Sequence, residues 1–289
     1  MNSRSESFRL GLIGWPLVHS LSPLMHNAAL KAAGLPGEYR LYPVQPLPEG
    51  EASLRDLLGE MKVGSIQGLN VTIPHKQNIL NLVDLLSPAA NAIGAVNTIS
   101  VQNGLLTGDN TDWLGFLSDL DNQLPDSNSE KINRAVVLGA GGSARAVVYA
   151  LQQIGWQVNI SARRLEQSEK LATDFSSVGH PVSAWPLSQY AELSETTLIV
   201  NTTPVGMFPD TTSSPWPADL PFPKQAFLYD LIYNPIETAL MKSARSAGLS
   251  AANGLGMLAE QAALAFEIWT GKPAPREIFR QAAVERTVL

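Results

Sequence analysis

The stretch "RAVVLGAGGSARAVVYALQQIGWQVNISARR", residues 134–164, decides the fold of this chain. A short apolar run leads into a glycine cluster, then into a helical pattern, and a second apolar run ends in "NISARR". The order is strand, glycine turn, helix and strand, which is a βαβ element of an α/β fold. Gly139, Gly141 and Gly142 permit a tight turn and close backbone approach, so that a pyrophosphate can rest on the helix N-terminus, and Ala144 is an allowed residue at the third position of that fingerprint. The element therefore reads as a dinucleotide site. A site for NAD ordinarily places Asp or Glu at the end of the second strand to hold the ribose 2′-hydroxyl. Here Ala162, Arg163 and Arg164 stand there, and the two arginines favour a 2′-phosphate and hence NADP.

Outward from this element, strand-like and helix-like stretches alternate along the whole chain. Upstream, "FRLGLIG" (8–14) predicts a strand and "SPLMHNAALKAAG" (22–34) a helix, with Ser22 as N-cap, Pro23 at the first helical position and Gly34 as terminator. Strands are expected in "YRLYPV" (39–44) and "IQGLNVTI" (66–73), with helical "EASLRDLLGEM" (51–61) between them. The spacing of Ile79, Leu80, Val83 and Leu86 predicts a further helix over "KQNILNLVDLL" (76–86). "AVNTISVQNGLLTGDN" (95–110) reads as a hairpin turning at Asn103 and Gly104, and "TDWLGFLSDLDNQL" (111–124) as a helix. The polar "PDSNSEKIN" (125–133) suits a loop at a domain boundary. Downstream, "TTLIVNTT" (196–203), "AFLYDLIY" (226–233) and "IETALMKSARSAG" (236–248) continue the alternation, while the proline-rich "FPDTTSSPWPADLPFP" (208–223) should lack regular structure. Two helices, "LAEQAALAFEIWTG" and "REIFRQAAVERTV", close the chain.

Composition narrows the ligand. With 289 residues, 45% hydrophobic and 16% charged, the chain has the make-up of a soluble globular protein with room for two domains. A net charge of −6 provides no broad positive field for nucleic acid or an anionic membrane. The absence of cysteine excludes disulfides, thiolate metal sites and cysteine nucleophiles. His19, His26 and His75 form no recognisable metal-ligand set, so no metal is expected. The N-terminal stretch lacks the apolar core of a signal peptide and no run of 18 apolar residues occurs, which points to the cytoplasm. The expected partner is a small molecule, bound by a monomer or a homodimer.

Eight ordered segments, "GWPLVHSLSPLMHN", "GLNVTIPHK", "GAVNT", "GDNTD", "GAGGSAR", "NTTPVGM", "YDLIYNP" and "NGLGMLAEQA", resemble the shikimate dehydrogenase family, and they span nearly the whole chain. The resemblance implies an N-terminal α/β substrate domain, residues 1–112, completed by C-terminal helices in 255–289. It also implies a Rossmann-type NADP-binding domain, residues 113–254, with a cleft between the two. The implied activity is NADP-dependent, reversible reduction of 3-dehydroshikimate to shikimate in the shikimate pathway of aromatic amino-acid biosynthesis. Such a reduction needs a group that stabilises a developing alkoxide and supplies a proton. The ammonium of Lys76 can do both, and Asp112 is the family's partner carboxylate. The proton-transfer role falls to the pair, with the immediate donor left open.

For the substrate, the family pattern implies carboxylate binding by Ser20 and Ser22 with help from Tyr233, and ring-hydroxyl binding by Thr72, Asn97 and Gln261. For the cofactor it implies Gly139, Ala140, Gly141, Gly142, Ser143 and Ala144, then Ala162, Arg163 and Arg164, then Thr202, Thr203, Pro204, Ile232, Gly254 and Met257. One departure stands out: the usual Asn-Arg-Thr is Ala162, Arg163 and Arg164, and a basic residue slightly later is Gln167. It weakens the expected preference for NADP and favours a second reading, a quinate/shikimate dehydrogenase using NAD or both cofactors. The presence of both serines counts against that reading. A third reading, a dinucleotide-binding regulatory protein without turnover, is opposed by Lys76, Asp112 and Gln261.

Overall fold

The computed structural model describes residues 7–124, 133–176, 180–186 and 190–285. It divides into two compact units, Met1–Gly115 with Leu258–Leu289, and Phe116–Met257.

In the first unit, β1 (Phe8–Gly14), β2 (Gly37–Pro43), β3 (Gly68–Val71), β4 (Leu85–Leu86), β5 (Thr98–Gln102) and β6 (Leu105–Asp109) form a sheet in the order β2-β1-β3-β5-β6-β4. β1 runs parallel to β2 and β3, whereas β5 is antiparallel to both β3 and β6. α1 (Ser22–Ala32) and α2 (Glu51–Lys62) link the parallel strands, and α3 (Pro88–Ile93) follows β4. Leu54, Leu57, Leu58 and Met61 recur at the helical period, so one face of α2 packs with Ile13, Leu69, Val71 and Ile99 of the sheet.

α4 (Asp112–Gln123) leads to the second unit, where β7 (Arg134–Leu138), α5 (Gly142–Gln153), β8 (Gln157–Ser161), α6 (Leu165–Phe175), β9 (Val182–Ala184), β10 (Leu198–Asn201), β11 (Phe227–Asp230), α7 (Ala239–Ser246) and β12 (Ala251–Asn253) alternate. The sheet order is β12-β11-β10-β7-β8-β9, with every pair parallel. Ala135–Leu138 and Leu198–Val200 are buried throughout, as strands covered on both faces must be. Counted within the unit, this is the doubly wound order 3-2-1-4-5-6, which reverses between β7 and β10. α8 (Leu255–Thr270) and α9 (Arg276–Glu285) then return the chain to the first unit. There Trp269 Nε1 donates to Ile99 O at 3.0 Å, and the Trp269 and Phe279 rings pack on His26.

Three expectations need correction. Residues 76–86 do not form a helix: a single 3₁₀ turn, Asn78–Asn81, gives way to β4. The Asp84 N–H donates to Leu106 O, Asp84 Oδ2 accepts the Leu106 N–H, and Leu85–Leu86 pair with Thr107–Gly108, so sheet pairing outcompetes the helix. Ile79, Leu80, Val83 and Leu86 still pack into the core, so their spacing signalled burial rather than helix. Ser22 is the first residue of α1 and not its N-cap, which is Leu21 without a side-chain cap. The Ser22 N–H is instead met by Ser20 Oγ at 3.3 Å. Finally, the first unit ends inside α4, ahead of the polar 125–133 stretch, of which 125–132 lie outside the described residues. Among the described residues, no helix is long and apolar enough to cross a membrane.

Candidate active site

Strand direction alone gathers Ser20, Ser22, Thr72, Lys76, Asn97 and Asp112 at one edge of the first sheet, while Gln261 comes from α8 and Tyr233 lies in the second unit. β1 and β3 are parallel and end together, with the Thr72 N–H on Ile13 O at 2.9 Å and the Trp15 N–H on Ile73 O at 2.9 Å. The segments carrying Ser20 and Ser22, and Thr72 and Lys76, thus leave the sheet side by side. β5 runs the opposite way, so it begins where β3 ends: the Val71 N–H donates to Asn97 O at 2.7 Å. β6 reverses again and brings Asp109–Asp112 back to that edge, the Asn97 N–H donating to Asp109 O at 3.0 Å.

Lys76 Nζ donates to Asp112 Oδ2 at 2.6 Å, and the two side chains are only 12% and 6% exposed. Asn97 Nδ2 donates to the other carboxylate oxygen at 2.8 Å and also lies 2.9 Å from Thr111 Oγ1 and 3.4 Å from Gln261 Oε1. Its Oδ1 accepts the Thr111 N–H at 2.7 Å, and Thr111 Oγ1 donates to Gln261 O at 3.0 Å. Lys76, Asn97, Asp112 and Gln261 therefore share one network. The Asp112 carboxylate is held through both oxygens, and the lysine ammonium that it accepts from carries two further protons.

Thr72 is partly buried at the end of β3, its methyl group against Gly14, where a Cβ would lie 2.3 Å away. Ser20 is partly buried and Ser22 buried. Burial pushes the Tyr39 phenol well above its ordinary pKa, a shift that Ser22 partly opposes. Tyr39 OH donates to Asn70 Oδ1 at 2.8 Å, and Asn70 Nδ2 reaches Thr98 Oγ1 at 3.1 Å and Asn97 O at 3.2 Å. Sequence reasoning missed Tyr39, Asn70, Thr98 and Thr111. A signal exists for Asn70, a buried amide between the core residues Leu69 and Val71.

In the second unit the predicted cofactor residues follow the C-terminal ends of β7, β8, β10, β11 and β12, the edge at which doubly wound sheets take ligands. Gly139 has φ 112°, and a Cβ there would fall 2.5 Å from Thr202 Oγ1. Its N–H donates to Ser161 O, while Thr202 donates to Leu138 O through both its N–H and its hydroxyl. The N-cap of α5 is Gly141; no side chain caps the helix and its first turn holds no acidic residue. The backbone N–H groups of that turn suit an anion. Ala162 is partly exposed, and Arg163 and Arg164 are exposed at the start of α6, whose N-cap Arg164 makes no capping bond. Thr202, Thr203 and Pro204 follow β10 directly. Ile232 is buried and Tyr233 half-buried after β11, and Gly254 and the buried Met257 follow β12. Gly254 packs so closely that a Cβ would lie 2.1 Å from Leu231 O. This donor set fits a dinucleotide with a 2′-phosphate.

The family described as shikimate dehydrogenase substrate binding domain matches residues 12–99, and shikimate 5'-dehydrogenase C-terminal domain matches 254–284. Shikimate dehydrogenase (NADP(+)) of Dictyoglomus turgidum is 40% identical over 275 residues, covering 94% of this chain and 95% of that protein. The chain belongs to the shikimate dehydrogenase family. A crystal structure of a shikimate dehydrogenase in complex with NADP+ is 36% identical, with a TM-score of 0.87 over 97% of this chain and 96% of the other. The shikimate dehydrogenase of Thermus thermophilus, in complex with NADP(H) and shikimate, is 38% identical, with a TM-score of 0.84 over 97% and 99%. The two shikimate dehydrogenase domain matches take in Ser20, Ser22, Thr72, Lys76 and Asn97 on one side and Gly254, Met257 and Gln261 on the other.

Proposed function

We propose that this protein catalyses the NADP-dependent, reversible reduction of 3-dehydroshikimate to shikimate, a step of aromatic amino-acid biosynthesis carried out in the cytoplasm. The observation that carries the reading is the largely buried Lys76–Asp112 pair, held in one orientation by Asn97. In this reading Lys76 and Asp112 handle the proton: the ammonium bonds the substrate oxygen, stabilises developing negative charge there and relays the proton, with Asp112 keeping the lysine in place. Ser20 and Ser22 bind the carboxylate together with Tyr233, and Thr72, Asn97 and Gln261 pair the ring hydroxyls, which must find partners once buried. NADPH, when bound, supplies the hydride. Residues 139–144 hold its pyrophosphate, Arg163 and Arg164 its 2′-phosphate, and Thr202, Thr203, Pro204, Ile232, Gly254 and Met257 its nicotinamide half. Residues 1–112 with 255–289 serve as the substrate domain and 113–254 as the dinucleotide domain.

The test is the rate of nicotinamide absorbance change with shikimate and NADP+. Turnover is expected, with NADP+ preferred over NAD+. A folded protein inactive with both cofactors would sink the reading, and higher efficiency with quinate and NAD+ would replace it with the quinate reading that Ala162, Arg164 and Gln167 raise.

A further inference from the structure

Directly under the Thr202–Thr203 turn lies a polar cluster to which the proposed reaction assigns no role. Asn201 ends β10 and Asp230 ends β11; they face each other in register and neither is exposed to solvent. A carboxylate at such depth is costly unless its oxygens are satisfied. Asp230 Oδ1 accepts Asn201 Nδ2 at 2.9 Å and the Ile232 N–H at 3.1 Å, and Oδ2 accepts the Thr238 hydroxyl at 2.7 Å. These donors favour the charged form, although burial prevails and moves the carboxyl above its ordinary pKa.

The consequence is directional. Because Asp230 claims the NH2 of Asn201, the amide oxygen must face the other way, where it accepts both the N–H and the hydroxyl of Thr203, at 3.0 and 2.8 Å. Thr238 Oγ1, donating to Asp230, also accepts the Met241 N–H at 3.2 Å and so caps α7. One buried carboxylate thereby sets the backbone of the 202–203 turn, the backbone at Ile232 and the start of α7. An apolar pair would fill the same space at no electrostatic cost, but it would leave Thr203 and Ile232 without their partners.

We propose that Asp230 and Asn201 are positioning residues for the dinucleotide, acting through Thr203 and Ile232 without touching it. The proposal rests on the cofactor assignment above. Asp230→Asn keeps only a neutral amide oxygen toward Asn201 and Ile232 and turns its NH2 on Thr238 Oγ1, so the charge-assisted bonds that fix the Asn201 amide and the Ile232 N–H weaken and the Thr238 hydroxyl loses its acceptor. The dissociation constant for NADP+, measured calorimetrically without substrate, should rise about tenfold, the loss of roughly one hydrogen bond. Shikimate affinity, measured the same way, should change less than twofold. Thr238→Val, which removes one donor to Asp230 and alters neither proposed residue, should weaken NADP+ several-fold, and Thr238→Ser should restore it; this pair carries the test if Asp230→Asn does not fold. A merely structural role predicts lowered Tm with unchanged NADP+ affinity in the folded variants, and that result overturns the proposal. Wild-type protein that binds shikimate but no NADP+ overturns the cofactor assignment, and the proposal with it.

Discussion

Two lysine–carboxylate pairs show how far surroundings decide what a residue does. Lys62 and Asp84, 47% and 29% exposed, form a solvated pair of the kind that contributes little. Lys76 and Asp112 are taken largely out of water, so removing either strands the other. Lys76→Ala is therefore expected to lower kcat by about 10²-fold or more, with a smaller effect on substrate binding. Steady-state assays check this, and a kcat within a few-fold of wild type would return Lys76 to a bystander. His26 makes the opposite case, a titratable residue with a packing role. It is fully buried and stacked on Tyr39 at 4.2 Å, and among the described residues neither ring nitrogen has a hydrogen-bond partner; burial lowers its pKa from 6.5 to about 3. Between those two values the unfolded chain binds a proton that the folded one refuses, so stability falls as pH drops below 6.5. His26→Phe removes that linkage, and its stability relative to wild type should improve by about 2 kcal/mol on going from pH 7 to pH 5. Urea unfolding at both pH values measures it, and equal differences would contradict the assignment. Lys76 and Asp112 were legible because each lies in a short motif whose chemistry is explicit. Thr98 and Thr111 were not, because threonines in a strand or near a turn carry no such mark until the sheet brings them to Asn97.

At the scale of elements, the turn from β8 into α6 is where cofactor choice is expected to reside. It carries Arg163 and Arg164 in the open and no acidic side chain at the strand end. Replacing both arginines with alanine should raise KM for NADP+ by roughly 10- to 100-fold and leave NAD+ nearly unchanged, since charge-assisted bonds are lost only to the 2′-phosphate. Comparing kcat/KM for the two cofactors tests it, and a double variant that still prefers NADP+ would place phosphate recognition elsewhere. Elements with strong local chemistry were read correctly from sequence. Asn103 and Gly104 have φ 52° and 78°, as a tight hairpin turn demands, and Gly34 ends α1 at φ 64°. Elements defined by a partner were not. β4, β9 and β12 are two or three residues long, too short for a period to show, and β4 exists only because β6 offers it a ladder.

For the whole molecule, alternation of strands and helices predicted layering, but not the strand orders, which depend on how each crossover folds back. Each unit has its own sheet and its own apolar core. Ligand protection should therefore separate in hydrogen exchange: NADP+ should slow amides around 139–145 and 202–203, and shikimate those around 72–76 and 97–98. Protection by NADP+ confined to the first unit would refute the assignment of the two units. The chain passes from one unit to the other inside α4 and again inside α8, so the second unit is a continuous stretch while the first is interrupted. On the ribosome the usual order of completion is thereby inverted. The first sheet emerges early but lacks Trp269 and Phe279, whose rings pack against His26. It must remain unsealed while the entire second unit is made, so the part of the protein synthesised first is the part finished last.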